Sequence, residues 1–309
     1  MDGKTAFRPR GRRMAARIKS PAYWGGLAWS VVRLVIVLGI GFMILYPILV
    51  KFVTCFMSIN DLKDPTVKLI PKEGSLDLFW QAFGGMEYFR TLLTTAALSL
   101  LVAGAQLIVN TMAGYGLARF KFIGRGVLFA AILMVLLVPP STILTPLYVR
   151  FNYLNFFGMR VSLINSYWPF VILSLTGLGL KNGLYIYMMR QFFRGLPYEL
   201  EESAYIDGAG PYRAFLFVLL PNARNMMLTV FILSFTWQWT DSNITPMFLQ
   251  NMRVFANIAG SVVNNYMSEL IQSALNNIIA ILIMAPLLLI YALLQRRIIQ
   301  GVESSGLVG

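Results

Sequence analysis

Residues Glu199–Pro221 read ELEESAYIDGAGPYRAFLFVLLP, a partly charged segment between long apolar runs. Just upstream, Pro197 suits the first turn of a helix, because its missing N–H would have no intrahelical partner there. Negative charge follows at the positive end of the helix dipole, from Glu199, Glu201 and Glu202. The segment therefore predicts a short helix at the membrane surface rather than a membrane span.

The same segment carries signals for a sharp bend. Gly208 can take the left-handed conformation that ends a helix, and Gly210 with Pro211 starts the chain in a new direction. The second arm is apolar, which predicts an amphipathic helix–turn–helix that presents charge to a soluble partner. The charges alone favour an ordinary solvated loop, but the spacing of Pro, Glu, Gly and Pro favours docking.

The composition predicts an all-α polytopic membrane protein. Hydrophobic residues make up 57% of the 309 residues, charged residues 13%, and the mean hydropathy is +0.66, outside the range of soluble domains. The single cysteine, Cys55, excludes an intramolecular disulfide, and the lack of histidine removes the commonest metal ligand and general base. No GxxxxGK[ST] phosphate loop is present. We therefore predict no catalytic site, metal or cofactor in this polypeptide, so that any ATP that drives its function must bind to another subunit.

Six apolar runs are long enough, or nearly so, to cross a hydrocarbon core that needs about 20 helical residues. An even number places both termini on one side. The sequence thus divides into a basic tail (1–33), one transmembrane domain (34–299) with a loop at about 190–224, and a second tail (300–309). The predicted spans are Leu34–Met57, Leu92–Leu117, Gly126–Tyr148, Leu163–Met189, Met226–Phe248 and Ser273–Gln295.

Basic residues predict the orientation. The net charge of +13 is concentrated on one side of the predicted spans, whereas the outer loop Asn60–Arg90 mixes both signs. By the positive-inside rule, we expect both termini and the 190–224 loop to be cytoplasmic. The tail therefore anchors on anionic lipid and does not indicate nucleic-acid binding. Its basic residues are Lys4, Arg8, Arg10, Arg12, Arg13, Arg17, Lys19 and Arg33.

Several predicted spans contain helix breakers and polar residues. Pro139 and Pro140 remove two backbone donors from the third span, and nearby hydroxyls are placed to satisfy the freed carbonyls. In the fourth span glycines surround Lys181. A lysine at the bilayer centre costs about 2.5–3.5 kcal/mol to insert. It therefore lines a solute path or pairs with Asp241; a structural or snorkelling contact is the alternative.

The fifth span adds two tryptophans to this set. Trp237 and Trp239 have flat apolar faces that suit stacking on sugar rings. Tryptophans near a membrane surface more often form an interfacial belt, which is the alternative. The candidate solute path consists of Lys181, Trp237, Trp239 and Asp241.

The polar loop matches a family signature. Glu202, Ser203 and Ala204 are followed after three residues by Gly208, and nine residues further on by VLLP, which ends at Pro221. This resembles the E-A-A, G, I-x-L-P signature of the membrane subunits of bacterial ATP-driven (ABC) importers. Ser203 replaces the usual first alanine, a small-for-small change.

Other pieces occur in the order of the carbohydrate-uptake branch of these permeases, which includes the maltose transporter's smaller membrane subunit. They are Tyr115–Phe120, Val138–Pro140, Arg190–Pro197 and Trp239–Asp241. The resemblance implies a type I ABC importer permease fold of six transmembrane helices with a coupling helix, in the inner membrane of a bacterium. It also implies a second homologous permease, two cytoplasmic ATPases and an extracytoplasmic binding protein that delivers a carbohydrate, expected to be an oligosaccharide.

The family further implies that the loop transmits ATPase closure to the membrane helices. The residues expected to carry this coupling are Glu202, Ser203, Ala204, Asp207, Gly208 and Pro221. Two rivals remain: an ion-coupled secondary transporter, or a permease for a non-sugar solute. An ion-coupled carrier would take up its solute without partners. An intramembrane enzyme is disfavoured because suitable catalytic side chains are scarce.

Overall fold

The computed structural model of the protein describes residues 21–156 and 159–306. Seven of the eight basic residues of the N-terminal tail lie outside the described residues, so their anchoring role stays a prediction. The described chain is mostly helical, with one short antiparallel hairpin of β1 (Leu154–Phe156) and β2 (Met159–Val161) in which Asn155 faces Arg160. It divides into two units, one ending at residue 76 and the other beginning at residue 77.

The first unit contains α1 (Pro21–Thr54) and α2 (Ile59–Lys63). Helix α1 begins 13 residues before the predicted start at Leu34. Pro21 lies in its first turn, where proline is well tolerated, and the small and apolar residues that follow continue the helix. The predicted boundary between tail and span therefore falls inside a helix. Most apolar side chains of α1 are exposed, as a lipid-facing helix requires.

After α2 the chain folds back and is fixed by one buried carboxylate. Ser58 and Asp61 form a capping box at the start of α2. The Asp61 carboxylate also accepts hydrogen bonds from the backbone N–H groups of Lys72, at 3.0 Å, and Glu73, at 3.2 Å. Burial alone would raise the pKa of Asp61, but these donors and Ser58 together lower it below its ordinary value. Asp61 thus closes the 58–76 loop in its ionised form.

We expect Asp61→Ala to open this loop. A carboxylate with a lowered pKa in the folded state stabilises the fold above its ordinary pKa, and this contribution is lost as the pH falls through the lowered value. At neutral pH the substitution should therefore increase the amide hydrogen exchange of residues 58–76. Lys68→Ala, which removes an exposed side chain from the same loop, is the matched control. Equal exchange rates in wild type and Asp61→Ala would contradict the assignment.

The second unit is built around a long helix, α4, on which most of the others pack. Its helices are α3 (Asp77–Gly85), α4 (Tyr88–Arg119), α5 (Arg125–Val135), α6 (Pro140–Asn152), α7 (Trp168–Leu175), α8 (Asn182–Gly195), α9 (Glu199–Ile206), α10 (Pro211–Ala214), a π-helical turn (Phe215–Leu219), α11 (Leu220–Asn222), α12 (Arg224–Trp239), α13 (Ile244–Phe248), α14 (Phe255–Asn264) and α15 (Glu269–Gly306).

The third predicted span, Gly126–Tyr148, consists of two helices, and the break falls at the prolines that the sequence indicated as helix breakers. Helix α5 ends at Val135 and α6 starts at Pro140, because consecutive prolines remove backbone donors and Pro139 adopts an extended conformation. The hydroxyl of Thr142 donates a hydrogen bond of 2.7 Å to the carbonyl of Pro139. The Pro139 carbonyl also accepts a hydrogen bond from the backbone N–H of Thr142, at 3.1 Å. The carbonyls that lose a donor to the two prolines are those of Val135 and Leu136, one turn earlier, so the role expected for the neighbouring hydroxyls stays a prediction.

The fourth and fifth predicted spans, Leu163–Met189 and Met226–Phe248, are likewise each two helices. The fourth is interrupted between α7 and α8, where Gly177 has a φ of 75° and Lys181 a φ of 61°. The fifth is interrupted after α12, where the Asp241 carboxylate accepts hydrogen bonds from the following backbone N–H groups and starts α13 anew. The glycines around Lys181 had indicated the first interruption in the sequence.

By length and composition, three described helices are able to cross a membrane: Trp24–Thr54, Tyr88–Arg119 and Glu269–Gln295. The pair Pro211–Asn222 and Arg224–Trp239, bent by 74°, adds a fourth if it counts as one span. The last helix, α15, continues beyond residue 300, where the sequence predicted a tail. Helix α14 lies between the fifth and sixth predicted spans and was not predicted.

Close packing between α4 and α8 forms the core next to the 190–224 loop. A Cβ on Gly114 would lie 2.5 Å from the Cβ of Met189 and 2.9 Å from the backbone nitrogen of Arg190, so only glycine permits this approach. The surrounding core consists of Tyr115, Ala118, Tyr185, Met189, Phe193, Leu219, Ala223, Met226 and Val230. The end of α4 is therefore in firm contact with the segment that carries the family signature.

Candidate functional site: the signature loop and the intramembrane break

The 190–224 loop, which carries the family signature and is called the signature loop below, forms the predicted helix, bend and second helix. Helix α9 ends in a Schellman motif: Gly208 has a φ of 81°, its N–H donates to the carbonyl of Tyr205, and the N–H of Ala209 donates to that of Ala204. Pro211 starts the second helix after Gly210. The predicted left-handed conformation of Gly208 is confirmed. A Cβ added at Gly208 would have no heavy atom within 4 Å, so the backbone alone requires glycine.

One face of the loop is exposed and mixes charge with apolar surface. Glu202, Ser203 and Asp207 are exposed, in the set that the sequence assigned to coupling. Beside them Ile206 is 86% exposed and Tyr212 is 84% exposed. Large apolar side chains this exposed, bordered by carboxylates, are typical of a protein-binding surface. Of the remaining predicted coupling residues, Ala204 is buried and Pro221 lies in α11.

The opposite face of α9 is held by a buried ion pair that sequence reasoning missed. The Nε atom of Arg119, at the end of α4, lies 3.0 Å from an Oε1 of Glu201, and the two side chains are only 2% and 10% exposed. Arg119 also donates from Nη2 to the carbonyl of Leu196, at 2.7 Å, and its guanidinium lies 4.2 Å from the ring centroid of Tyr198. One side chain of α4 therefore contacts the loop at three points.

Burial raises the pKa of Glu201, and the positive charge of Arg119 opposes this rise. Sequence reasoning had assigned Glu201 only to the helix dipole, and Arg119 was noted only as part of the family segment Tyr115–Phe120. Nothing local in either stretch indicates the pairing, because the two residues are distant in the chain and meet only through the packing of α4 against α8.

The break between α7 and α8 is fixed by polar side chains inside the predicted membrane region. Gln106 of α4 donates from Nε2 to the carbonyl of Leu180, at 3.1 Å, and accepts a hydrogen bond from the hydroxyl of Ser234. A Cβ on Gly179 would lie 2.6 Å from Gln106 Nε2, so a small residue is required beside it. The backbone next to Lys181 is therefore held in position by α4, through Gln106, and Gln106 is itself held by Ser234 of α12.

Of the four candidate solute-path residues, the structure brings only two into contact with each other. The ammonium of Lys181 lies 4.7 Å from the ring centroid of Trp237, which is 44% exposed. Trp239 is buried, packs on Phe255, and donates its indole N–H to the carbonyl of Ile283. The structure therefore brings Lys181 together with Trp237, whereas Trp239 has no free face for a solute in this conformation.

Asp241 does not pair with Lys181. It is buried, and its carboxylate accepts hydrogen bonds from the backbone N–H of Thr245, at 2.6 Å, and from the Thr245 hydroxyl, at 2.8 Å. Thr245 in turn accepts a hydrogen bond from Gln238. Among the described residues, the ion pairs of the structure do not include Lys181 with Asp241. Asp241 thus has a capping role here.

Comparison with known proteins gives concordant results. Residues 110–304 match the family model described as "Binding-protein-dependent transport system inner membrane component". The chain is 29% identical over 283 residues, 91% of its length, to the trehalose transport system permease protein SugB of Mycobacterium tuberculosis, of which 97% is covered. It is 27% identical over 271 residues, 86% of its length, to the galactooligosaccharides transport system permease protein GanQ of Bacillus subtilis, of which 91% is covered.

A third relative is the maltodextrin transport system permease protein MalD of Streptococcus pneumoniae, 27% identical over 87% of this chain and 92% of that protein. Among solved structures, a chain of a bacterial ABC transporter involved in the import of the acidic polysaccharide alginate superimposes with a TM-score of 0.64. The match covers 94% of this chain and 99% of the other at 18% identity. This structural likeness supports the fold.

Proposed function

Because the chain belongs to the family of inner membrane components of binding-protein-dependent transport systems, we propose that it forms half of the translocation path of an ATP-driven carbohydrate importer. It is an integral membrane protein and one component of a transporter complex. The relatives that it matches over most of its length are permeases named for trehalose, galactooligosaccharides and maltodextrin. We therefore assign it a carbohydrate solute, and an oligosaccharide in particular.

The observation that supports this role most directly is the arrangement of the signature loop. Its solvent-exposed face presents Glu202, Asp207 and Ile206 for a partner. Its buried face is bound to α4 through the ion pair of Arg119 with Glu201. A push on the exposed face is thereby passed to a helix of the membrane domain. Such rigid-body movement is one of the ordinary ways in which proteins switch states.

The remaining parts of the transporter follow from this role. Two cytoplasmic ATPase subunits bind ATP and Mg, and one of them receives the exposed face of α9 as a coupling helix. A second homologous permease completes the path, and an extracytoplasmic binding protein delivers the solute. The broken helices α5 with α6, α7 with α8, and α12 with α13 each serve as one interrupted span, which gives six spans. Both termini and the signature loop are then on the cytoplasmic side of the inner membrane.

The test is whether uptake depends on the partners and on ATP. In proteoliposomes, the chain with its ATPases, sister permease and binding protein should take up a labelled oligosaccharide only when ATP is supplied. Maltotriose, trehalose and a galactooligosaccharide are suitable probes, by analogy with the relatives. The chain reconstituted alone should show no uptake, even with a proton or sodium gradient. Gradient-driven uptake by the chain alone would overturn the proposal in favour of an ion-coupled carrier.

A further inference from the structure

Lys181 lies at a depth where a cation is costly. Arg190, where the cytoplasmic 190–224 loop begins, lies nine residues after Lys181 along α8, which corresponds to about 14 Å of helix. On the proposed topology this places the ammonium well inside a hydrocarbon core of about 30 Å. A charged side chain at such a depth normally pairs with another group or lines a hydrated path.

Few groups in the structure offset the free-energy cost of placing the Lys181 charge at this depth. No carboxylate lies within 4 Å of its ammonium among residues 21–156 and 159–306, and Asp241 is occupied by its own helix cap. The contact that the structure shows is with the half-exposed ring of Trp237. A cation–π contact of this kind supplies only about 0.5–2 kcal/mol. The site therefore holds a cation without a matching anion.

The backbone at Lys181 adopts a conformation that is unfavourable in free energy. Lys181 has a φ of 61°, a left-handed conformation that costs a residue with a side chain about 1–2 kcal/mol. The hydrogen bond from Gln106 to Leu180 and the tight fit around Gly179 hold the break in this conformation. A strained residue that is held from both sides is characteristic of functional sites.

A small pocket adjoins the cation. It has a volume of about 90 Å³ and is lined by the break itself, residues 178–183, and by apolar side chains of α5, α6 and α13. This equals the volume that about three water molecules occupy in liquid water. The volume suits a carboxylate or phosphate group and is too small for a whole sugar ring. Asn182 also lines the pocket, and its buried Oδ1 has no hydrogen-bond partner in the described part of the chain.

We propose that Lys181 and Trp237 form a subsite for the anionic group of an acidic carbohydrate. Lys181 binds the carboxylate or phosphate in the pocket, Asn182 accepts a hydrogen bond from a neighbouring hydroxyl, and the exposed part of the Trp237 ring supports the sugar ring. This inference rests on the proposed function and narrows it from carbohydrates to those that bear a negative charge.

The experiment compares an acidic sugar with its neutral counterpart in the complete transporter. Labelled digalacturonate and α-1,4-galactobiose have the same rings and the same linkage, and differ only at C6, where digalacturonate carries carboxylates. The readout is the ratio of their ATP-dependent uptake rates. Because the binding protein is the same in every sample, a change in this ratio between variants reports on the permease.

We expect Lys181→Gln to lower the ratio of acidic to neutral uptake about tenfold or more, the scale of a lost charge-assisted hydrogen bond. Lys181→Arg should retain most of the ratio, and Trp237→Ala should lower the uptake of both sugars. Lys68→Gln, which removes an exposed positive charge from the 58–76 loop, is the control for net charge and should leave the ratio unchanged.

The outcomes separate the inference from the proposed function. ATP-dependent uptake of galactobiose together with an unchanged ratio in Lys181→Gln overturns the acidic subsite and leaves the importer intact. Absence of ATP-dependent uptake for every carbohydrate overturns both. If Lys181 instead held an anionic lipid headgroup, Lys181→Gln would reduce both sugars equally, and only in vesicles that contain anionic lipid; this result would also overturn the subsite.

Discussion

Replacing Arg119 with methionine is expected to reduce ATP-driven uptake at least tenfold. The substitution leaves the Glu201 carboxylate buried without its ion-pair partner, 3.0 Å from where the guanidinium was. Breaking a buried ion pair by removing one member costs about 3–5 kcal/mol, because an uncompensated charge remains. The hydrogen bond to the Leu196 carbonyl and the contact with Tyr198 are lost as well. Helix α9 should then lose its fixed position relative to α4.

Two further variants test whether the loss of uptake in Arg119→Met is due to the ion pair. Lys121→Met removes an exposed positive charge two residues away and should leave uptake near the wild-type rate. In Arg119→Met/Glu201→Gln both charges are removed, so uptake and the thermal unfolding temperature of the purified complex should recover in part. If the double variant is as impaired as Arg119→Met, the ion pair does not explain the defect.

The ionisation of Glu201 supplies a separate test. Burial already raises the pKa of this carboxyl in the folded protein, and loss of Arg119 removes the charge that opposes the rise. A group with a raised pKa in the folded state holds its proton more readily there, so the folded protein gains stability as the pH falls. The unfolding temperature of Arg119→Met relative to wild type should therefore improve at acidic pH, and Arg119→Met/Glu201→Gln should not show this improvement.

Local signals in the sequence were sufficient for the signature loop. A proline before the first helix, three glutamates in its first turn, and Gly208 and Pro211 at the bend each act on the backbone within a few residues, and the structure follows them. These features depend on conformational preferences that a single stretch of sequence carries.

The tertiary contacts were not accessible in this way. The ion pair of Arg119 with Glu201 depends on how α4 packs against α8, which no local pattern encodes. Asp241 was expected opposite Lys181, although Thr245 four residues later was a local signal that Asp241 caps a helix. Trp239 was assigned to the solute path by residue type, whereas its exposure depends on neighbours from α14 and α15.

The ends of the separate helices within each broken span were not predictable for a related reason. Apolar composition reports whether a segment avoids water, and it does not report whether the backbone is continuous. The glycines and prolines at the breaks were visible in the sequence, but a membrane helix tolerates such residues when its neighbours satisfy the freed backbone groups. Here Gln106 of α4 satisfies the Leu180 carbonyl at one break, and this contact depends on the folded arrangement.

Gly208→Val is expected to uncouple ATP hydrolysis from transport. The left-handed φ of 81° is nearly inaccessible to a β-branched residue, so the Schellman turn that ends α9 should not form. The substitution introduces no steric clash, since the position has no neighbour within 4 Å of a Cβ. The complex should therefore still assemble, while the exposed face of α9 loses its direction relative to α10. We expect uptake to fall at least tenfold, with ATP hydrolysis reduced much less.

The chain offers a matched control for Gly208→Val two residues away. Gly210 is also exposed and also has free space around a Cβ, but its φ of −75° and ψ of 169° are open to any residue that precedes a proline. Gly210→Val should therefore transport at close to the wild-type rate. Gly208→Asn should lie between the two, because asparagine tolerates the left-handed region better than valine. Uptake and ATP hydrolysis are measured together in proteoliposomes; equal coupling in all three variants would show that the bend at Gly208 does not transmit force.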